Sequence, residues 1–136
     1  ACAAGAVRAA VAAVPDGDAF CAPTLLTGVA PDAAILAEEI FGPVAPVVTW
    51  TDTEEMLGWV NGTELGLAAY VYAGRLQDAL RLAERIDAGM VGINRGIVSD
   101  PAAPFGGMKQ SGLGREGARD GIREFQETQY YSVDLG

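Results

Sequence analysis

Three observations predict an α/β fold. Between Val44 and Asn94, short apolar runs alternate with amphipathic stretches. The amphipathic stretches keep a helical period, as in Leu76, Ala79, Leu80, Ala83 and Ile86. The resulting order, β-α-β-α-β, asks for right-handed crossovers and a parallel sheet. A helix and an extended strand are expected to follow at the C-terminus. The 136 residues suffice for one domain or part of a larger one, and half of them are hydrophobic.

Each element has a local cause. Ala1–Ala4 reads as the last turn of a helix, ended by Gly5. Val7, Ala9, Val11 and Ala13 alternate with their neighbours, which fits a strand. Pro15-Asp16-Gly17-Asp18 is a turn by composition. Phe20–Leu26 is an extended run, and Pro31-Asp32 starts a helical turn leading to Glu38. Val44–Trp50 is a short β-branched strand. Thr51-Asp52-Thr53 offers N-cap oxygens, with Glu54 and Glu55 in the first turn of the helix that follows. Met56, Leu57 and Val60 share its inner face, and Asn61-Gly62 ends it.

Leu67–Tyr72 is the second strand of the series. The helix over Arg75–Ala88 stops at Gly89, and Met90–Asn94 is the third strand. Ligands of parallel sheets bind beyond the carboxyl ends of the strands. Asn94 lies at such an end, and a loop rich in Gly and Pro runs from Arg95 to Gly114. Arg115–Arg123 is the last helix. Gln129–Leu135 is an extended tail that needs a sheet to pair with, in this chain or a partner. The expected division is 1–110 for the main body and 111–136 for the terminal helix and oligomerisation-type strand.

Composition excludes several functions. A net charge of −9 disfavours a nucleic-acid backbone as partner. No apolar run reaches the length of a membrane span, and nothing resembles a signal peptide. Two isolated cysteines, Cys2 and Cys21, make neither a zinc site nor a disulfide framework, so a reduced, cytoplasmic protein without a metal is expected. With no histidine, no Ser-His or Cys-His pair can form within the chain. Cys21 lies in an apolar run and reads as a small buried hydrophobe. The chain begins at Ala1 and not Met, as a processed chain or a piece of a longer one would.

Three stretches carry chemistry. In Glu38-Glu39-Ile40-Phe41-Gly42-Pro43-Val44, two carboxylates and an aromatic precede a turn that Pro43 fixes. A carboxylate there can accept two hydrogen bonds from a vicinal diol, as on a ribose, and an aromatic can cover a flat heterocycle. The plain alternative is an acidic turn with one buried Phe. In Ala103–Gly112, Pro104 and the Gly106-Gly107 pair hold Phe105 in a set loop, suited to the wall of a substrate channel or to packing alone. Gly112-Leu113-Gly114-Arg115-Glu116-Gly117 matches GxGxxG. It follows a loop where the dinucleotide fingerprint needs a strand, so it reads as close backbone passage.

Together these stretches resemble one family. Glu38–Pro43, Gly66-Leu67-Ala68-Ala69-Tyr70, Gly92-Ile93-Asn94 and Pro104–Glu116 occur in the order found in the C-terminal part of the NAD(P)-dependent aldehyde dehydrogenases. Asn94–Ser99 and Phe125–Tyr130 resemble the succinate-semialdehyde dehydrogenases within it. The resemblance implies that Glu39 holds the nicotinamide ribose hydroxyls and that Phe41 lies beside the nicotinamide. It implies a tunnel wall at Phe105, a proton relay at Glu116, and a hydrogen bond from Ser99 to the distal carboxylate of the substrate. Lys109 and Arg115 are expected to be structural. For Glu116 the plain alternative is a charge at a helix N-terminus.

The family's nucleophilic cysteine, general-base glutamate, oxyanion asparagine and coenzyme fold all precede the matching region. The resemblance therefore implies part of an enzyme that oxidises an aldehyde, through a thiohemiacetal and thioester, with NAD or NADP. The chain alone is expected to be inactive and the whole enzyme to be a homo-oligomer. A free-standing assembly or binding module with the same fold is the competing class. A hydrolase using Cys21 would lack a base.

Overall fold

The computed structural model describes residues 2–10 and 13–136. Val11, part of the alternation expected for the first strand, lies outside them. The chain divides into two compact units, residues 1–59 and 60–136.

In the first unit a 3-10 turn, Cys2–Ala4, leads to β1 (Val7–Ala10). Strand β1 runs antiparallel to β2 (Thr24–Thr27), and β2 runs parallel to β3 (Val44–Pro46). The core is Ala6, Leu26 and Val29, with Ala33, Ile35, Leu36, Val44 and Val48 packed against it. A 3-10 turn over Ala34–Leu36 supplies two of those side chains. Strand β3 is shorter than the expected Val44–Trp50. Pro46 has no N–H to continue the ladder, and Val47 N–H makes the last close bond, to the Leu26 carbonyl at 2.7 Å.

Helix α1 (Thr53–Asn61) is capped by Asp52, whose Oδ1 accepts from the N–H groups of Glu54 and Glu55 at 2.8 and 3.0 Å. It buries Met56 and Leu57, while Val60 stays exposed.

The second unit is built on β4 (Ala68–Val71) and β5 (Met90–Ile93), parallel and in register from Ala68↔Met90 to Val71↔Ile93. Helix α2 (Leu76–Ala83) is the crossover, and Ala79 is its fully buried contact. The α/β class and its parallel strands hold, but the single sheet expected from Val44 to Asn94 is divided. Strand β3 pairs with β2, and β4 pairs with β5. Hydrophobic period places elements without naming their partners, and the upstream run at Thr24 provides the edge that β3 takes.

One expected C-terminal element differs, and the expected tail has no sheet to pair with among the described residues. The last helix, α3, covers only Asp120–Arg123. Gly117 and Ala118 adopt left-handed backbone, with φ of 67° and 49°, so a right-handed helix cannot begin at Arg115. Residues 126–136 form no strand, and no ladder partner reaches the tail among the described residues. A strand exists only where an edge is available to pair with it.

Candidate functional site

The Glu38–Pro43 stretch is held by its C-terminal end. Thr24 N–H donates to the Pro43 carbonyl at 2.8 Å, which hooks the turn to the start of β2. Val44 N–H donates to the Gly42 carbonyl at 2.8 Å and closes the turn. Ile40 is half-buried, while Glu39 is exposed. Phe41 is 93% exposed, so the alternative of a buried Phe at an acidic turn does not hold. An exposed carboxylate offers two acceptor oxygens, which suits a ribose diol, and an uncovered aromatic face suits a flat ring. These residues fit the nicotinamide-ribose half of a dinucleotide.

In the second unit, Phe105 and Glu116 are brought together. Phe105 N–H donates to the Glu116 carbonyl at 2.8 Å, and Glu116 N–H donates to the Phe105 carbonyl at 2.7 Å. Glu116 therefore sits in an extended pair and not in the first turn of α3. Both residues line an open cleft of about 710 Å³, with Leu113, Ile122 and Phe125 as further apolar walls.

The loop between the two residues is tied down along its length. Met108 N–H donates to the Gly66 carbonyl and Gln110 N–H to the Glu64 carbonyl, at 3.0 and 2.9 Å. Ser111 Oγ accepts from Gly66 N–H at 2.9 Å. The Arg115 guanidinium donates to the Gly107 and Gly114 carbonyls at 2.8 and 2.6 Å, and joins the two arms. Lys109 Nζ donates to the Asn61 and Thr63 carbonyls. Close packing explains one glycine. A Cβ on Gly89 would overlap the Gly106 carbonyl oxygen, so the turn into β5 and this loop can touch only without side chains.

Ser99 lies in the loop after β5 and is exposed. The turn beside it is made by its neighbour, since Asp100 Oδ1 accepts from Ala102 N–H at 2.9 Å. Ala118 N–H donates to the Pro101 carbonyl at 3.3 Å, which ties the Ser99 loop to the segment after Glu116. Glu39 and Phe41 belong to the first unit, and Ser99, Phe105 and Glu116 to the second.

Sequence reasoning overlooked the roles of Asn94 and Ser111. Asn94 has φ of 51°, and its amide donates to the Ala73 carbonyl and accepts from Ala73 N–H, at 3.0 and 2.9 Å. An Asn ending a strand just before a loop was the available signal, because Asn tolerates left-handed backbone. Cys21 is exposed and not buried, as is Cys2. Strand β2 begins only at Thr24, so the apolar run at Cys21 precedes the sheet that would have covered it. Among the described residues no three His, Cys, Asp or Glu side chains are grouped to hold a metal ion. No helix there is long and apolar enough to cross a membrane.

Residues 2–131 match the aldehyde dehydrogenase family. A succinate-semialdehyde dehydrogenase of Paenarthrobacter nicotinovorans is 53% identical over 131 residues, covering 96% of this chain and 29% of the relative. A glutarate-semialdehyde dehydrogenase of Pseudomonas putida is 46% identical over 116 residues, covering 85% of this chain and 24% of its own length. The crystal structure of succinate-semialdehyde dehydrogenase from Burkholderia pseudomallei superposes with a TM-score of 0.84 at 46% identity, covering 91% of this chain and 26% of that one. The chain thus spans less than a third of the length of these relatives.

Proposed function

The chain belongs to the aldehyde dehydrogenase family, and from that premise we propose that the whole protein containing it oxidises succinate semialdehyde to the dicarboxylic acid, with NAD or NADP. The observation that carries the reading is the exposed pair of Glu39 and Phe41 on a turn pinned to β2. When bound, the coenzyme supplies the hydride acceptor. Glu39 accepts hydrogen bonds from the ribose hydroxyls and fixes the sugar. Phe41 covers one face of the nicotinamide and keeps water from it. Phe105 forms a wall of the substrate path, and Glu116, paired with it, passes protons outward through its carboxylate.

Ser99 donates one hydrogen bond to the distal carboxylate of the substrate. That Asp100 makes the adjoining turn supports this role, since the Ser99 hydroxyl is not needed there. A hydroxyl cannot neutralise a carboxylate, so a cation from elsewhere in the whole protein acts with it. Arg95 is the local candidate in this chain, and the family resemblance favours arginines outside it. The relative named for succinate semialdehyde supports the four-carbon substrate. The one named for glutarate semialdehyde makes the five-carbon homologue the necessary comparison. In this reading the protein works in the cytoplasm as a homo-oligomer.

The test is a steady-state assay of the whole protein with both semialdehydes and both coenzymes, following reduced coenzyme by absorbance. Turnover with the four-carbon substrate above the five-carbon one is expected. No turnover with either semialdehyde would overturn the reading. The chain by itself, in the same assay, should give no more reduced coenzyme than buffer.

A further inference from the structure

The loop from Phe105 to Glu116 is fixed at its base by the mutual backbone bonds of those two residues. Its tip is fixed differently. Lys109 has left-handed backbone there, with φ of 57°. Where a chain needs only that conformation, glycine is the default residue. Here the residue carries a long cationic side chain, and all three ammonium hydrogens have an acceptor nearby. Nζ lies 2.8 Å from the Asn61 carbonyl oxygen, 3.2 Å from that of Thr63 and 3.4 Å from Asp87 Oδ2.

Asn61 extends the network. Its amide nitrogen donates to the Arg85 carbonyl at 2.7 Å, and its Oδ1 accepts from Asp87 N–H at 2.9 Å. Lys109 thus joins the loop tip to the end of α1 and to the turn after α2. A disfavoured backbone persists only where its surroundings over-determine it, and three partners on one ammonium do so.

The tip and the base are mechanically linked. A Cβ on Gly107 would lie 2.7 Å from Ser111 Cβ, and one on Gly106 would lie 2.6 Å from the Gly114 carbonyl oxygen. Gly106 therefore lies against the backbone of the opposite arm and Gly107 against the Ser111 side chain, so a shift at the tip meets packed atoms on both arms. We propose that Lys109 is a positioning residue: its ammonium sets where the loop tip lies and, through the closed loop, where Phe105 and Glu116 stand in the cleft. The kinetic part of this proposal rests on the reading that Phe105 faces the substrate.

The test compares K109M and K109R with the unmodified whole protein by amide hydrogen exchange and by kinetics. In K109M the Phe105 and Glu116 amides should exchange about tenfold faster, as the loss of a charge-assisted hydrogen bond allows. The amides of the β4–β5 ladder should keep their rates. The aldehyde KM should rise about fivefold, with the coenzyme KM unchanged, as expected when substrate-side binding alone is lost. K109R, which keeps the charge but replaces a point donor with a planar fork, should fall between the two. If K109M does not fold, K109R must show the same selective pattern at smaller size.

Acceleration of all amides together, or no change at Phe105 and Glu116, would overturn the proposal. If the unmodified protein oxidises neither semialdehyde, the proposed activity fails, while the exchange rates still decide the role of Lys109.

Discussion

A carboxylate beside a ribose acts through two acceptors at a fixed spacing, and Gln keeps the shape while turning one acceptor into a donor. Glu39→Gln in the whole protein should therefore weaken coenzyme use with little effect on folding, because Glu39 is exposed. Hydrogen bonds to charged groups contribute about 1.5–3 kcal/mol, so kcat/KM for the coenzyme should fall by roughly tenfold to a hundredfold. Unchanged coenzyme kinetics would remove Glu39 from the site. Ser99→Ala is the matching change at the substrate end. It should cost about 1–2 kcal/mol of transition-state binding for succinate semialdehyde and little for an uncharged aldehyde of similar length. The measurement is the ratio of the two kcat/KM values before and after substitution. Equal losses would mean that Ser99 supports its loop and does not read the carboxylate.

Single residues were legible in the sequence where their cause is local. Asp52 was expected among the N-cap oxygens before the first helix, and its partners, the Glu54 and Glu55 N–H groups, lie two and three residues on. The partners of Lys109 and Ser111 were not legible, because Asn61, Thr63 and Gly66 lie more than forty residues away. The burial expected of Cys21 failed for a related reason. An apolar run is covered only if something packs on it, and composition does not say what does.

At the scale of elements, α1 shows the most complete agreement between local signal and structure. Its cap, its acidic first turn and its Asn-Gly end all lie within the eleven residues from Asp52 to Gly62. Asp52→Ala should therefore lower stability by about 1 kcal/mol, the usual loss when an N-cap side chain is removed. Asp52→Asn should recover most of it, since Asn also accepts at that position. Denaturant midpoints of the three proteins check this, and equal midpoints would show that the two bonds to Glu54 and Glu55 N–H add nothing. The strands were legible as elements but not as a sheet. The run at Val44 could pair with β2 or β4 on pattern alone, and the hydrogen bond from Thr24 N–H to the Pro43 carbonyl is a contact that no period encodes. Helix α3 is shorter than the expected Arg115–Arg123 because Gly117 and Ala118 sit in left-handed backbone, which the apolar spacing of Ala118, Ile122 and Phe125 does not reveal.

On the scale of the whole molecule, the unusual feature is how much large apolar surface stands open. Leu76 and Leu80 on α2, Leu113, Ile122 and Phe125 around the cleft, and Tyr130, Tyr131, Val133 and Leu135 in the tail are all exposed. Soluble monomers rarely leave contiguous apolar surface of this kind uncovered. The chain spans less than a third of the length of the relatives it matches. The purified chain should accordingly self-associate, with a light-scattering mass that rises with concentration. Two routes are available and substitution separates them. Unpaired extended backbone recruits a second edge, and inward charge on such an edge suppresses pairing. If the tail is the route, Val133→Lys with Leu135→Lys should return the mass toward that of a monomer. If the helix face is the route, those changes will do little and Leu76→Glu with Leu80→Glu will. A constant monomer mass in the unsubstituted chain, across a wide concentration range, would mean that neither surface is sticky enough to need a partner.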